Sequence, residues 1–327
     1  MNRLYIGSSK ELTMAFLPAE RFISLIIATL ALLDACLLLL KGVGIDVAGY
    51  ASLVACGAFL LALGQFYRAV RRNERIAVTA TAAGLFVLFT IAGSIFNYLL
   101  LPLRLSPIDP LLARFDAALG FDWPAFVTWA SHFPRAGMLL QMVYATSLPQ
   151  LAVILLVLGL GGRIRLLHHF LMTGVIGALT AIICWFFFPS FGPASIYALP
   201  ADVTQRVPLA AGPDYGAQLV QLGRNGAAYL TPRNALGLIG FPSFHTVMAA
   251  MSASFMLRCG ALGLPFLLLN VLMMPAIIIQ GGHNLADVLG GLLVFGVAYA
   301  IALAALRQLE RRRANIEPKA QLGPLPS

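Results

Sequence analysis

Charged side chains are scarce in this chain. Asp, Glu, Lys and Arg make up only 11% of its 327 residues and the acids number 13, whereas an ordinary soluble domain is about 25% charged. Such a composition excludes a disordered, collagen-like or coiled-coil chain. No carboxylate cluster suited to magnesium is present. The four cysteines, Cys36, Cys56, Cys184 and Cys259, form no C-x-x-C pair, which argues against a zinc site or a disulfide framework; buried, inert thiols are expected. Internal repeats and paired broken helices, the marks of many secondary transporters, are also missing, so a lipid transporter or flippase is the weaker reading from another class.

What the chain has in quantity is apolar surface, with 60% hydrophobic residues. A membrane-spanning helix needs about 20 mostly apolar residues. Candidates lie near 22–40, 47–66, 77–102, 138–160, 166–188, 244–259, 262–280 and 285–306. The expected fold is therefore all-α, a polytopic helical bundle of about eight transmembrane helices with both termini on one side. The first run has no small-residue cleavage site and reads as a retained anchor.

The formal charge of +9 could mark nucleic-acid binding or membrane topology. Its distribution decides. With cytoplasmic termini, the cytoplasmic segments hold Arg3, Lys10, Arg21, Arg68, Arg71, Arg72, Arg75, Arg163, Arg165, Arg258, Arg307, Arg311, Arg312, Arg313 and Lys319, 15 of the 22 basic residues. Lys41, Arg104, Arg114, Arg135, Arg206, Arg224 and Arg233 fall on the other side. This is the positive-inside pattern, and it removes nucleic acid as a partner. Localisation to a bacterial inner membrane is expected.

Two outer connections exceed simple turns. In 103–136, Asp109 as N-cap, Pro110 at the first helical position and Gly120 as stop predict a surface helix. A second helix is expected from Pro124, with Trp123 and Trp129 at the membrane–water interface. The other connection, 189–242, is too long for a structureless linker.

That connection ends in Gly240-Phe241-Pro242-Ser243-Phe244-His245, a helix start with Ser243 as cap. Free N–H groups at such a terminus suit an anion, and His245 there can give or take a proton. The eighth helix opens with Gly281-Gly282-His283-Asn284-Leu285-Ala286-Asp287-Val288-Leu289-Gly290-Gly291. His283 and Asp287, four apart, face each other one turn away, so the carboxylate can orient the imidazole. One helix out and one back between His245 and His283 return both to the same, non-cytoplasmic surface.

Pro-Ser-x-His followed by His-x-x-x-Asp resembles the second and third motifs of the type 2 phosphatidic acid phosphatase superfamily, and the form found here is most similar to the branch containing inositol phosphorylceramide synthases. The resemblance implies a six-helix catalytic core over 77–306, preceded by an N-terminal region, 1–76, with two extra helices, and followed by a basic cytoplasmic tail, 307–327. It implies a cofactor-free and metal-free lipid phosphatase or phosphotransferase working through a phosphohistidine. His283 would be the nucleophile, Asp287 its orienter, His245 the acid/base, and Ser243 part of the phosphate cradle. The implied partners are the bilayer and a lipid substrate: phosphatidate, polyprenyl phosphate, or a ceramide or diacylglycerol type. The superfamily's Arg-Pro motif is absent, and Ala276-Ile277 stands where Ser-Arg is expected. Arg233, then Arg224 and Arg206, are the remaining candidates for binding phosphate.

Other polar residues receive blander readings. His132, His168 and His169 are read as capping or interface residues, and Asp34 as paired or near an edge. Gln141, Tyr144, Ser147 and Gln150 form a polar stripe that either bonds between helices or lines a headgroup groove.

Overall fold

The computed structural model describes residues 16–206, 209–210 and 214–320, with side chains described as far as 315. Arg3, Lys10, the end of the basic tail and the side chain of Lys319 lie outside the described residues. The eight apolar segments all fold as helices. They are α1 (Pro18–Lys41), α2 (Val47–Ala69), α3 (Glu74–Leu99), a pair α6 (Pro134–Ala145) and α7 (Ser147–Leu160), α8 (Ile164–Phe187), α11 (Phe244–Met256), α12 (Gly263–Gln280) and α13 (Leu285–Ala320). Among the described residues, six helices are long and apolar enough to cross a membrane, seven with the bent pair counted as one span. At 13 residues, α11 rises only about 20 Å, short of a hydrocarbon core about 30 Å thick. The architecture is an all-α polytopic bundle of an integral membrane protein.

The fourth predicted span is broken by 46°. Thr146 and Ser147 turn their hydroxyls back to the carbonyls of Val143 and Tyr144, at 2.6 and 2.7 Å. Pro149 has no N–H to give Ala145, and such deletions bend helices. The last helix overruns its prediction, continuing through Arg311–Arg313.

The core lies where α3, α7, α8 and α11 meet, with Leu85, Ile154, Leu158, Phe170, Met172 and Phe255 nearly inaccessible. Around it, α1 and α2 turn Leu25, Leu32, Leu39 and Phe59 outward. A Cβ on Gly84 would stand 2.8 Å from the Gly57 carbonyl, and one on Gly64 2.9 Å from the Ala77 carbonyl. Small residues let membrane helices approach this closely, and here they hold α2 on α3. At the end carrying the Arg163 and Arg165 turn, Glu20 of α1 takes a bidentate bond from Arg68 of α2 at 2.8 and 3.0 Å, with His168 of α8 3.7 Å away.

The opposite end carries the two long connections, which bond to one another through Ile108 N–H to Pro189 O at 2.7 Å. They contain α4 (Asp109–Ala118), α5 (Trp123–Ala130), α9 (Ala201–Arg206) and α10 (Tyr215–Asn225). A two-residue parallel pair joins β1 (Gly44–Ile45) to β2 (Tyr229–Leu230). The described residues of segment 189–242 thus include several short packed elements.

Several expectations change. Asp109 does not cap α4: it sits at the first helical position and its carboxylate accepts from Ser190 Oγ and the N–H groups of Phe191 and Gly192. Trp123 is buried, its indole N–H donating to Ile278 O at 3.0 Å, because α5 leans on α12; only Trp129 is exposed. Cys36 and Cys56 lie exposed on outward helix faces and Cys184 and Cys259 are half-buried, since small thiols fit lipid-facing positions too. Asp34 is buried, and its Oδ1 has no hydrogen-bond partner among the described residues. His168 and His169 are buried, with His169 Nε2 3.0 Å from Tyr299 O.

Gly64→Leu forces α2 away from α3. Overpacking of this kind costs about 1–3 kcal/mol, so the melting temperature of the detergent-solubilised protein is expected to fall by several degrees, and an unchanged value would show that the helix contact contributes nothing.

Candidate active site

Two helix starts meet at the end of the bundle that carries the long connections. Ser243 caps α11, its Oγ accepting from Thr246 N–H at 3.4 Å, and His245 is the second residue of that helix. At the other start, His283 stands two residues ahead of α13, not inside it. The expected face-to-face pair still forms: His283 Nδ1 lies 3.2 Å from Asp287 Oδ2, which also accepts from Asn284 N–H at 2.8 Å. An acid reaching back to the residue before its helix is half of a capping box, and here it fixes the histidine loop as well as the helix. Asp287 is fully buried and His283 nearly so.

The two starts are bonded to each other. Ser243 N–H donates to the Asp287 carbonyl at 3.0 Å, and Gly290 and Gly291 permit the approach. A Cβ on Gly290 would stand 2.7 Å from the Phe241 ring, and one on Gly291 2.5 Å from the Ser243 carbonyl. The rings of His245 and His283 come to 6.2 Å, centroid to centroid.

Tyr144 is a site residue that was legible only as a member of the polar stripe. Its ring stacks on His245 at 4.6 Å and 25°, with its hydroxyl 3.5 Å from Nδ1. The lower stripe follows the interhelical reading, with Gln150 Oε1 accepting from Asn270 at 2.7 Å and Ser147 Oγ 3.5 Å from Met273 Sδ.

Asp116 of α4 was missed altogether, since on an amphipathic surface helix an acid gives no sign of pointing inward. Its two oxygens accept from the N–H groups of Leu285 and Ala286 at 2.7 and 2.8 Å. The N–H groups at the start of α13 are therefore already paired with a carboxylate; the terminus expected to suit an anion is that of α11. Of the three basic candidates, Arg206 pairs with Asp202 at 3.1 Å. Arg233 lies beside Asp46, whose carboxyl is held below its usual range by the Gly49 N–H, the Thr231 hydroxyl and the Arg233 charge. Arg224 is exposed on α10. None of the three hydrogen-bonds or pairs with His245, His283 or Asp287.

Burial pushes the Asp116 carboxyl up, and the two N–H donors offset this only in part. A folded-state value above the unfolded one, about 3.9, gives a stability contribution that is full below 3.9 and is lost as pH rises through the folded value. Asp116→Asn is expected to flatten the melting temperature against pH upward from about pH 4, and a curve parallel to wild type would remove this assignment. Asp116→Ala, which leaves the α13 donors open, should cost about 0.5–2 kcal/mol.

The family model described as the PAP2 superfamily matches residues 110–301, a stretch that contains both histidines and every residue of the two motifs. No curated protein and no solved structure matches the chain. On a match that covers well over half of its length, the chain belongs to the PAP2 superfamily.

Proposed function

We propose that the protein cleaves or transfers a phosphoester of a membrane lipid through a phosphohistidine on His283. The observation that carries this reading is the buried His283–Asp287 pair at 3.2 Å, facing His245 across 6.2 Å. With Nδ1–H donating to Asp287, the His283 ring presents an unprotonated Nε2. That nitrogen attacks phosphorus, the P–O bond to the leaving group breaks, and His245 supplies the proton to the departing oxygen. In the second half-reaction His245 takes a proton from an incoming hydroxyl, whose oxygen attacks phosphorus and releases Nε2. Tyr144, stacked on His245, holds that ring in place, and an O–H directed at Nδ1 leaves Nε2 of His245 to carry the moving proton.

Ser243 keeps a hydroxyl hydrogen to offer a phosphate oxygen while its lone pair caps α11. Phosphoryl transfer needs positive charge around the equatorial oxygens. Arg233, 12 residues before His245, is the first candidate to supply it, ahead of Arg224 and Arg206; binding would draw it from Asp46. The carboxylate at the head of α13 leaves the α11 side as the approach for an anion.

The basic residues gathered at the end remote from the histidines support cytoplasmic termini and an outer, periplasmic site in a bacterial inner membrane. The division into an N-terminal pair of helices, 1–76, a catalytic core, 77–306, and a tail, 307–327, belongs to the same reading. Water as acceptor makes a lipid phosphatase; a lipid hydroxyl makes a headgroup transferase of the inositol phosphorylceramide synthase type, toward which the motif form leans.

His283→Ala is expected to abolish phosphate release from phosphatidate or polyprenyl pyrophosphate in metal-free detergent solution, and full turnover would refute the mechanism. His245→Ala should lose roughly 100- to 10,000-fold in kcat; a loss under tenfold removes it from the acid role. Asp287→Asn should be slow yet folded. Supplying a ceramide or diacylglycerol acceptor and following headgroup lipid against free phosphate separates transferase from phosphatase.

A further inference from the structure

His245 lines one end of an apolar cavity of about 260 Å³ that runs into the bundle between α3, α8 and α11. Along α3 its wall extends from Asn97 and Tyr98 to Leu85, twelve residues or roughly 18 Å of helix. Ile23 of α1 reaches its wall and Leu238 belongs to the segment roofing it. Among the described residues, no Asp, Glu, Lys or Arg lines it. Both α1 and α3 precede residues 110–301, where the family model matches.

The polar groups at the His245 end are unequal. Tyr98 is satisfied, its hydroxyl accepting from Leu236 N–H at 2.6 Å and lying 3.2 Å from Leu236 O. Thr90 bonds back to Phe86 O at 2.8 Å. Asn97 is different: it is 9% exposed, and its Oδ1 is buried with no hydrogen-bond partner among the described residues. A buried acceptor left open costs about 1–3 kcal/mol, and a donor arriving with a ligand recovers it.

We infer that this cavity holds the hydrocarbon chain of the lipid whose phosphate reacts at His283, and that Asn97 selects lipids carrying an amide N–H or a hydroxyl at the neck between chain and phosphate. An ester neck has acceptors only and leaves Asn97 Oδ1 open. A site built to pair a donor rejects the analogue that lacks it. The assignment rests on the proposed reaction for its orientation, phosphate toward His245 and chain toward Ile23.

Binding tests it without turnover. Ceramide 1-phosphate, which has an amide N–H and a hydroxyl at its neck, and phosphatidate of equal chain length, which has neither, are titrated onto the full-length protein in detergent. The amide lipid is expected to bind about tenfold more tightly, the worth of one hydrogen bond. Asn97→Leu should erase the difference by weakening only the amide lipid. Gly93→Leu fills the cavity: a Cβ there meets nothing nearer than the Phe89 ring at 3.8 Å, so the fold tolerates it while both lipids weaken. Equal affinities in wild type, or a preference that survives Asn97→Leu, overturn the role of Asn97. Unchanged binding in Gly93→Leu overturns the placement of the chain. If the wild-type chain proves inactive toward both lipids yet binds them in this pattern, the reaction fails and the selectivity stands.

Discussion

One backbone hydrogen bond, from Ser243 N–H to the Asp287 carbonyl at 3.0 Å, joins the two helix starts on which the rest of the site depends. It forms only because α13 presents Gly290 and Gly291 to the Phe241–Thr246 segment. In a bilayer, backbone groups find no water to fall back on, so a bond between two helix ends is worth more as a constraint than its usual 0.5–1.5 kcal/mol suggests. It fixes the depth of His245 and His283 relative to each other, while Asp287 uses its side chain to aim His283 and its main chain to hold Ser243.

The few acids of the chain are placed in the same economical way. Glu20, Asp109, Asp116 and Asp287 are all buried, and each closes a junction: α1 with α2, the first outer connection with the second, α4 with α13, and the α13 start with its own histidine. Scattered on a surface, these carboxylates would contribute little. Buried and bonded to N–H groups or a guanidinium, they fix which elements sit together. Asp34 is the exception: it is buried, and its Oδ1 has no hydrogen-bond partner among the described residues.

Apolar runs and the two motifs made the bundle and the His245–His283–Asp287 cluster legible in the sequence, since both depend on spacing within a few residues. What stayed hidden depends on long-range docking. Asp116 lies 169 residues before Leu285, and its helix reads from sequence as an ordinary interfacial one. Trp123 has the look of an interface residue until α12 offers Ile278 O to its indole. Tyr144 was half visible, a polar residue in a spanning segment, but its partner is on another helix and no period reports that. The arginines show the converse: their nearness along the chain to His245 did not bring them to it.

The elbow between α6 and α7 acts as a lever. The arm beyond it, 12 residues long, measures about 18 Å, so a 46° deflection carries its far end sideways by about 13 Å from where a straight rod would end. That far end holds Gly137, whose carbonyl receives Gln280 Nε2 at 3.2 Å, immediately before the Gly281–Gly282 turn into His283. Two hydroxyls and one proline at the pivot therefore decide how the strand of chain leading to a histidine is braced, and their own local bonds are the smaller part of what they do.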